Sequence, residues 1–369
     1  MLVFALVHTR DWSAIVRRRV GANSDIMAEE VIGRLLVLAP AGLAAFLLSL
    51  GLIALLRPWL ARHALARPNA RSSHRQPTPQ GGGIAVVTAT LIVAWTTIAL
   101  SPALAQNQFG QFLTVTAAAV LLAGVGTIDD MRSMPMAARL TVQCIAVGAV
   151  VVSLPEALRI LPQLPSWIER AGLFLGGVWF VNLANFMDGI DWMTVAELVP
   201  VTAAIILLGV CGAIGILPAL AAAALFGAIV GFAPFNKPVA QIFLGDVGSL
   251  PIGLLLGWLL LQLMERGYLA AAIILPLYYL ADATVTLAYR VGRADPFWRA
   301  HRIHFYQRAT DNGFTVPAII GRVFLLNVAL GALALISIAA ASSTVSLAVF
   351  VAGMVIVTCL LRMFARRKR

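Results

Sequence analysis

Charged residues are scarce in this sequence: Asp, Glu, Lys and Arg make up 12% of its 369 residues, against about a quarter in an ordinary soluble domain. With 60% hydrophobic residues and a mean hydropathy of +0.91, that scarcity excludes both a single soluble core and a disordered chain. Cysteine is nearly absent. Cys144, Cys211 and Cys359 stand far apart inside apolar runs. They supply neither a disulfide framework nor the paired spacing of a zinc site, and read as small buried apolar side chains. Strict alternation of polar and apolar residues is missing too, as between Ile216 and Val230, which excludes a transmembrane β-barrel. No internal repeat is visible, and no Lys-Ser/Thr pair follows the glycines at 81–83, so there is no P-loop.

What is present is a succession of apolar runs of 18 or more residues, each long enough to cross a hydrocarbon layer about 30 Å thick. Backbone groups in lipid must pair within their own segment, so the spans are expected to be helices. The reading is an all-α, polytopic membrane protein with about eleven transmembrane helices and catalytic cytoplasmic loops. The expected spans are 32–56, 82–101, 111–127, 136–154, 170–185, 194–210, 213–232, 248–264, 268–288, 317–340 and 344–362. They form a single transmembrane domain over 32–362, followed by a basic tail at 363–369. Residues 1–31 read as an N-terminal extension. Their apolar stretch precedes Arg10, Arg17, Arg18 and Arg19, the reverse of a signal peptide, and Met27 is the expected native start.

Eleven spans place the two ends of the domain on opposite sides. The cluster Arg362, Arg366, Arg367, Lys368 and Arg369 assigns the C-terminal end to the cytoplasm. On that topology nineteen Lys and Arg residues fall on the cytoplasmic side or at the span edges nearest it, and the opposite loops between spans hold three, Arg159, Arg170 and Arg266; the four arginines of residues 1–31 run against this distribution. The formal charge of +11 therefore reads as topology and anionic-substrate binding, with no stripe for nucleic acid. The expected location is a bacterial inner membrane, with the site on the cytoplasmic face.

Six aspartates, Asp129, Asp130, Asp188, Asp191, Asp246 and Asp282, lie at or within span ends, where carboxylates are expensive and usually functional. The first five fall at the cytoplasmic face with arginines interleaved. That pattern suits a divalent metal and phosphates, since Mg²⁺ takes oxygen ligands from one or two carboxylates plus the substrate. Asp129-Asp130 closes the third span. Adjacent carboxylates repel, so one is kept basic or bridged by metal, unless the pair merely stops the helix. In Asn185-Phe-Met-Asp188-Gly-Ile-Asp191, a helical turn would point Asp188 and Asp191 together, with Asn185 one turn earlier. Those groups suit a uracil, a ribose or a metal; the alternative is a plain Asp-Gly turn. In Phe243-Leu-Gly-Asp246-Val-Gly-Ser249, glycine allows close backbone approach and the helix start suits phosphate, or Asp246 simply caps it.

The segment Arg71 to Gly83 sets guanidinium groups, including Arg75, beside a glycine-rich helix start suited to phosphate, or else forms a basic anchor. His301-Arg302-Ile-His304 holds two of the five histidines. Histidine can donate to a diphosphate or carry a proton; the alternative is an interfacial anchor. A zinc site with Asp295 lacks a convincingly spaced third ligand. Asp282, well inside the ninth span, is expected to pair with Arg290 or to line the cleft.

In this order the motifs resemble those of the bacterial polyprenyl-phosphate N-acetylhexosamine-1-phosphate transferases. These belong to glycosyltransferase family 4, in the superfamily of phospho-N-acetylmuramoyl-pentapeptide transferase. Matching segments are Arg71 to Gly83; Asp129-Asp130 with Arg139 and Gln143; Asn185 to Asp191; Asn236 through Phe243 to Ser249; and Trp298 to Arg308. The resemblance implies transfer of a sugar-1-phosphate from a UDP-N-acetylhexosamine to undecaprenyl phosphate, releasing UMP, with Mg²⁺ or Mn²⁺. It implies Asp246 and Asn185 as metal ligands, Asp129 and Asp130 as the catalytic carboxylates, and His301 and His304 beside the diphosphate. Arg75, Asp188, Asp191, Asn236, Phe243 and Arg302 are implied as substrate contacts, with Phe243 stacking on uracil. The His-Arg-Ile-His segment is closer to the branch that starts O-antigen-type glycans than to the triple histidine of the pentapeptide transferases. Gln80 stands where that branch often has arginine, and Asp191-Trp192 replaces the common Asp-Gly. The rival of another class is a transporter, which would show internal repeats and binding groups near the midplane.

Overall fold

A computed structural model of the chain describes residues 24–66, 77–293 and 303–367. It is built almost wholly of helices: α1 (Ser24–His63), α2 (Gly82–Leu100), α3 (Phe109–Met131), α4 (Met136–Ser153), α5 (Ser166–Met187), α6 (Met193–Val210), α7 (Ile216–Asn236), α8 (Asp246–Glu265), α9 (Leu269–Ile274), α10 (Leu277–Gly292), α11 (Phe305–Asp311), α12 (Val316–Ala339) and α13 (Ser343–Ala365). Two short antiparallel strands, β1 (Leu65–Ala66) and β2 (Thr78–Pro79), pair Leu65 with Pro79 and Ala66 with Thr78.

Among the described residues nine helices are long and apolar enough to cross a membrane: α1 from Ala28, then α2, α3, α4, α6, α7, α8, α12 and α13. The other two expected spans differ for identifiable reasons. α5 has the length, at 22 residues, but Glu169, Arg170, Asn182 and Asn185 lower its hydropathy. The expected ninth span breaks at Pro276 into α9 and α10, because proline lacks an N–H and crowds the preceding turn. At the N-terminal side, α1 already begins at Ser24 and runs without a break into the first expected span; residues 1–23 lie outside the described residues.

α7 and α8 are the innermost helices, with 78% and 83% of their apolar windows buried, whereas α1, α4 and α13 bury 28% each and form the rim. α7 packs on α1, α2 and α6; α8 packs on α2, α3 and α5. Small residues allow these contacts, as in other membrane bundles. A Cβ on Gly83 of α2 would stand 2.2 Å from the Cα of Gly248, and one on Gly126 of α3 would stand 2.4 Å from the carbonyl of Asp246. The two glycines bring α2 and α3 against the first turn of α8, and that meeting point is the floor of the polar site.

Candidate active site

The last turn of α3 places Asp129 and Asp130 in different roles. Asp130 turns toward α8 and accepts from the backbone N–H of Asp246 (3.0 Å) and of Val247 (3.1 Å). It caps that helix from another segment of the chain. Gly245, at φ 78°, is held against the same carboxylate, where a Cβ would clash at 2.4 Å. The next two amides, of Gly248 and Ser249, donate to the Gly245 carbonyl. The first turn of α8 is thus already satisfied, so its amides do not form the phosphate cradle that its glycines suggested.

Asp129 faces the other way. Its Oδ1 accepts from the Met134 N–H (2.6 Å) and its Oδ2 from Arg139 of α4 (2.8 Å). The same Arg139 nitrogen donates to Asp246 Oδ2 at 3.1 Å, so one guanidinium bridges two carboxylates from two helices. The second Asp246 oxygen accepts from Asn185 of α5 at 2.7 Å, and Asn185 also donates to Ser249 at 2.9 Å. Asp129, Arg139, Asn185 and Asp246 therefore converge from four helices on one end of the bundle.

The turn after α5 departs from the helical expectation. Asp188 ends the helix, Gly189 follows, and Trp192 takes a left-handed conformation at φ 62°. The two aspartates consequently point to different partners. Asp188 accepts from the Thr194 hydroxyl, whereas Asp191 accepts from the Ala240 N–H at 3.0 Å. Burial pushes the Asp188 carboxyl up to about 7; the Thr194 bond opposes this, and the nearby charges of Asp246, Asp130 and Asp191 add to it. Asn236 ties the same turn to the next loop: it accepts from the Trp192 N–H (2.8 Å) and donates to the Ile242 carbonyl (2.9 Å).

Phe243 is held by its backbone. Its N–H donates to the Pro79 carbonyl (2.8 Å), and its carbonyl accepts from Gly81 and Gly82, while Gly83 donates to the Leu244 carbonyl (2.8 Å). The glycine amides of 81–83 are thus committed to the 243–244 segment instead of to a phosphate. Gln80, in the position where arginine was considered, donates from its side chain to the Asp130 carbonyl. Arg75, His301 and Arg302 lie outside the described residues. His304, at the start of α11, is buried, and its Nδ1 lies 3.1 Å from Asp282 Oδ1.

Several groups escaped the reading of the motifs. Thr194 fixes Asp188, Ser249 shares Asn185, and Tyr306 donates to the Phe186 carbonyl at 2.9 Å. Each lies within a few residues of a motif, but hydroxyls are too common for position alone to single them out. Asn182 donates to Gln143 at 2.7 Å just below the polar site. Beyond that pair lies an apolar cavity of about 210 Å³ lined by α4, α5, α8, α9 and α10, with Gly172, Gly176 and Gly177 on its α5 wall.

Residues 112–264 match the model for glycosyl transferase family 4. The matched segment contains every residue of the polar site from Asp129 to Ser249, and stops short of both the 71–83 and the 301–308 motifs. The chain is 31% identical over 221 residues to a decaprenyl-phosphate N-acetylglucosaminephosphotransferase of Mycolicibacterium smegmatis, covering 53% of this chain and 52% of that protein. It is 22% identical over 306 residues to a probable undecaprenyl-phosphate N-acetylglucosaminyl 1-phosphate transferase of Bacillus subtilis, covering 77% and 83%. To a phospho-N-acetylmuramoyl-pentapeptide-transferase of Desulforapulum autotrophicum the identity is 28% over 266 residues, covering 58% and 69%. The chain spans about half the length, 52%, of the mycobacterial relatives it matches.

Proposed function

We propose that the chain, whose residues 112–264 match the model for glycosyl transferase family 4, is a member of that family and transfers an N-acetylhexosamine-1-phosphate from a UDP-sugar to undecaprenyl phosphate. UMP leaves, and the product starts a lipid-linked surface glycan of the O-antigen type in a bacterial inner membrane. One observation carries the reading: Asp129, Arg139, Asn185 and Asp246 meet at one end of a membrane bundle, directly above an apolar cavity. A charged diphosphate and a lipid tail each find a matching environment along the same helices α4, α5 and α8. The nineteen-to-three distribution of basic residues supports a cytoplasmic position for this end.

The donor set suits Mg²⁺ or Mn²⁺. Asp129 and Asp246 offer hard carboxylate oxygens, and Asn185 an amide oxygen beside the nitrogen that donates to Asp246. That fits a cation completed by substrate phosphates. Held by Asp246 and Asn185, the metal would neutralise the diphosphate and the departing UMP. The chain's own groups do the rest. Asp129 takes the proton from the lipid phosphate, whose oxygen attacks the phosphorus next to the sugar while the bond to UMP breaks. Arg139, placed between Asp129 and Asp246, steers the phosphates into line. Asp188, Asp191, Asn236 and Phe243 form the nucleoside side, and Asp130 keeps the first turn of α8 in place beneath them. Transfer of a phospho-muramoyl-pentapeptide is the second reading, on the strength of the relatives that bear that name.

The test uses the purified full chain with Mg²⁺, undecaprenyl phosphate and a panel of UDP-N-acetylhexosamines plus the UDP-muramoyl-pentapeptide, following UMP and lipid product together. Lipid-dependent UMP release with one N-acetylhexosamine donor is the expected result; no release with any donor overturns it. Asp246→Asn, which removes the negative charge of the proposed metal ligand and of one of the two carboxylates paired with Arg139, is expected to abolish turnover while the protein still inserts. Undiminished turnover in that variant would refute the metal assignment.

A further inference from the structure

Asp282 lies inside α10 with 0% exposure, where a carboxylate is costly unless it is well partnered. Both of its oxygens face donors. Oδ1 is met by His304 Nδ1 (3.1 Å), the Phe305 N–H (3.0 Å) and the Thr286 hydroxyl (3.3 Å). Oδ2 is met by the Tyr306 N–H (3.2 Å) and the Tyr278 hydroxyl (3.4 Å). Phe305 and Tyr306 open α11, so one side chain of α10 both anchors the start of another helix and holds the imidazole just before it. α11 is pinned at a second point. Tyr306 donates to the Phe186 carbonyl at 2.9 Å, and Gly189 leaves room for the Tyr306 hydroxyl, which a Cβ there would meet at 2.0 Å. The His304 ring stacks on Tyr306 at 5.8 Å. The histidine therefore sits between a fixed carboxylate and the Phe186 ring at the end of α5, whose centroid is 6.4 Å away.

We propose that Asp282 is a positioning residue for the transfer reaction: it holds His304 by Nδ1, so that Nε2 is the nitrogen that serves the diphosphate. The inference rests on the function proposed above. An acceptor carboxylate at Nδ1 puts the ring hydrogen there and selects the tautomer whose Nε2 carries the lone pair. A proton taken up at Nε2 can then be presented to a phosphate oxygen without moving the ring. Such outer partners of a working imidazole fix its orientation, and their loss costs about 10- to 100-fold in function.

The experiment has two arms. In ¹⁵N-histidine spectra of the full chain in detergent, with His304 assigned by its absence in His304→Gln, the neutral ring is expected as the Nδ1–H tautomer. An Nε2–H tautomer overturns the proposal, and this arm needs no turnover, so it stands even if the proposed reaction fails. In the transfer assay, Asp282→Asn is expected to lower kcat about 10- to 100-fold with little change in KM for the UDP-sugar. Asp282→Asn added to His304→Gln is expected to cost nothing further, because the two act as a unit. A full additional loss in the double variant means that Asp282 serves only to cap α11, and overturns the proposal.

Discussion

At the scale of single residues, the site works by dividing one kind of side chain among different tasks. Asp129 and Asp130 are neighbours in sequence, yet one accepts from Arg139 and the other from two backbone amides of α8. Asp188 is the carboxylate whose state is open to direct measurement. Burial raises it from 3.8 to about 7, so the folded chain keeps a proton that the unfolded chain releases in between. Stability of the ligand-free protein from this group is fully present below about pH 4, and is lost as pH rises through about 7. An apparent Tm that falls across this interval, with a shallower fall in Asp188→Asn, is the expected outcome. An identical slope in the variant would show that Asp188 is not buried as described.

At the scale of elements, two glycines decide whether the polar groups meet at all. The Cβ that Gly126→Ala adds would face the backbone of Asp246 at 2.4 Å, and backbone cannot swing aside as a flexible side chain can. α3 and α8 must then separate, at a cost of roughly 1–3 kcal/mol for overpacking, and the Asp130 bonds across that seam lengthen. A lowered apparent Tm together with reduced turnover is expected; wild-type values for both would show that the seam has slack. The same seam marks the limit of what the sequence discloses. Apolar run length is enough to locate the long helices, though not the break at Pro276 or the short α11, and Asp129-Asp130 at the end of α3 and Asp246 at the start of α8 are legible as boundary residues. Asp130 as the cap of α8 is not, since the donor and acceptor are 116 positions apart. Nor is the divergence of Asp188 and Asp191, which follows from a left-handed Trp192 that helical periodicity does not anticipate. The glycines at 81–83 read as a phosphate loop because nothing local shows that the Phe243 and Leu244 carbonyls already occupy their amides.

At the scale of the whole molecule, the bundle sets two solvents side by side. α7 and α8 fill the centre, the rim faces apolar surroundings, and the polar cluster closes one end. Below that cluster lies the cavity bounded by α4, α5, α8, α9 and α10, with glycines of both α5 and α8 (Gly172, Gly176, Gly177, Gly253 and Gly257) and Pro276 among its lining residues. Its position, one turn beneath Asn185, is where a polyprenyl tail would lie if its phosphate met Asp129. Side chains at Gly172 and Gly176 would project into open space, with no atom within 4 Å, so filling them should leave the fold intact. Gly176→Leu is therefore expected to raise KM for undecaprenyl phosphate about tenfold, equivalent to roughly 1.4 kcal/mol of lost contact. KM for a lipid phosphate of one or two isoprene units, and for the UDP-sugar, should change little, because neither needs the full length of the cavity. Measuring the three constants on one preparation separates the possibilities. A rise shared equally by long and short lipids would mean that leucine disturbs the phosphate site itself, and no rise for either would place the tail on another face of the bundle.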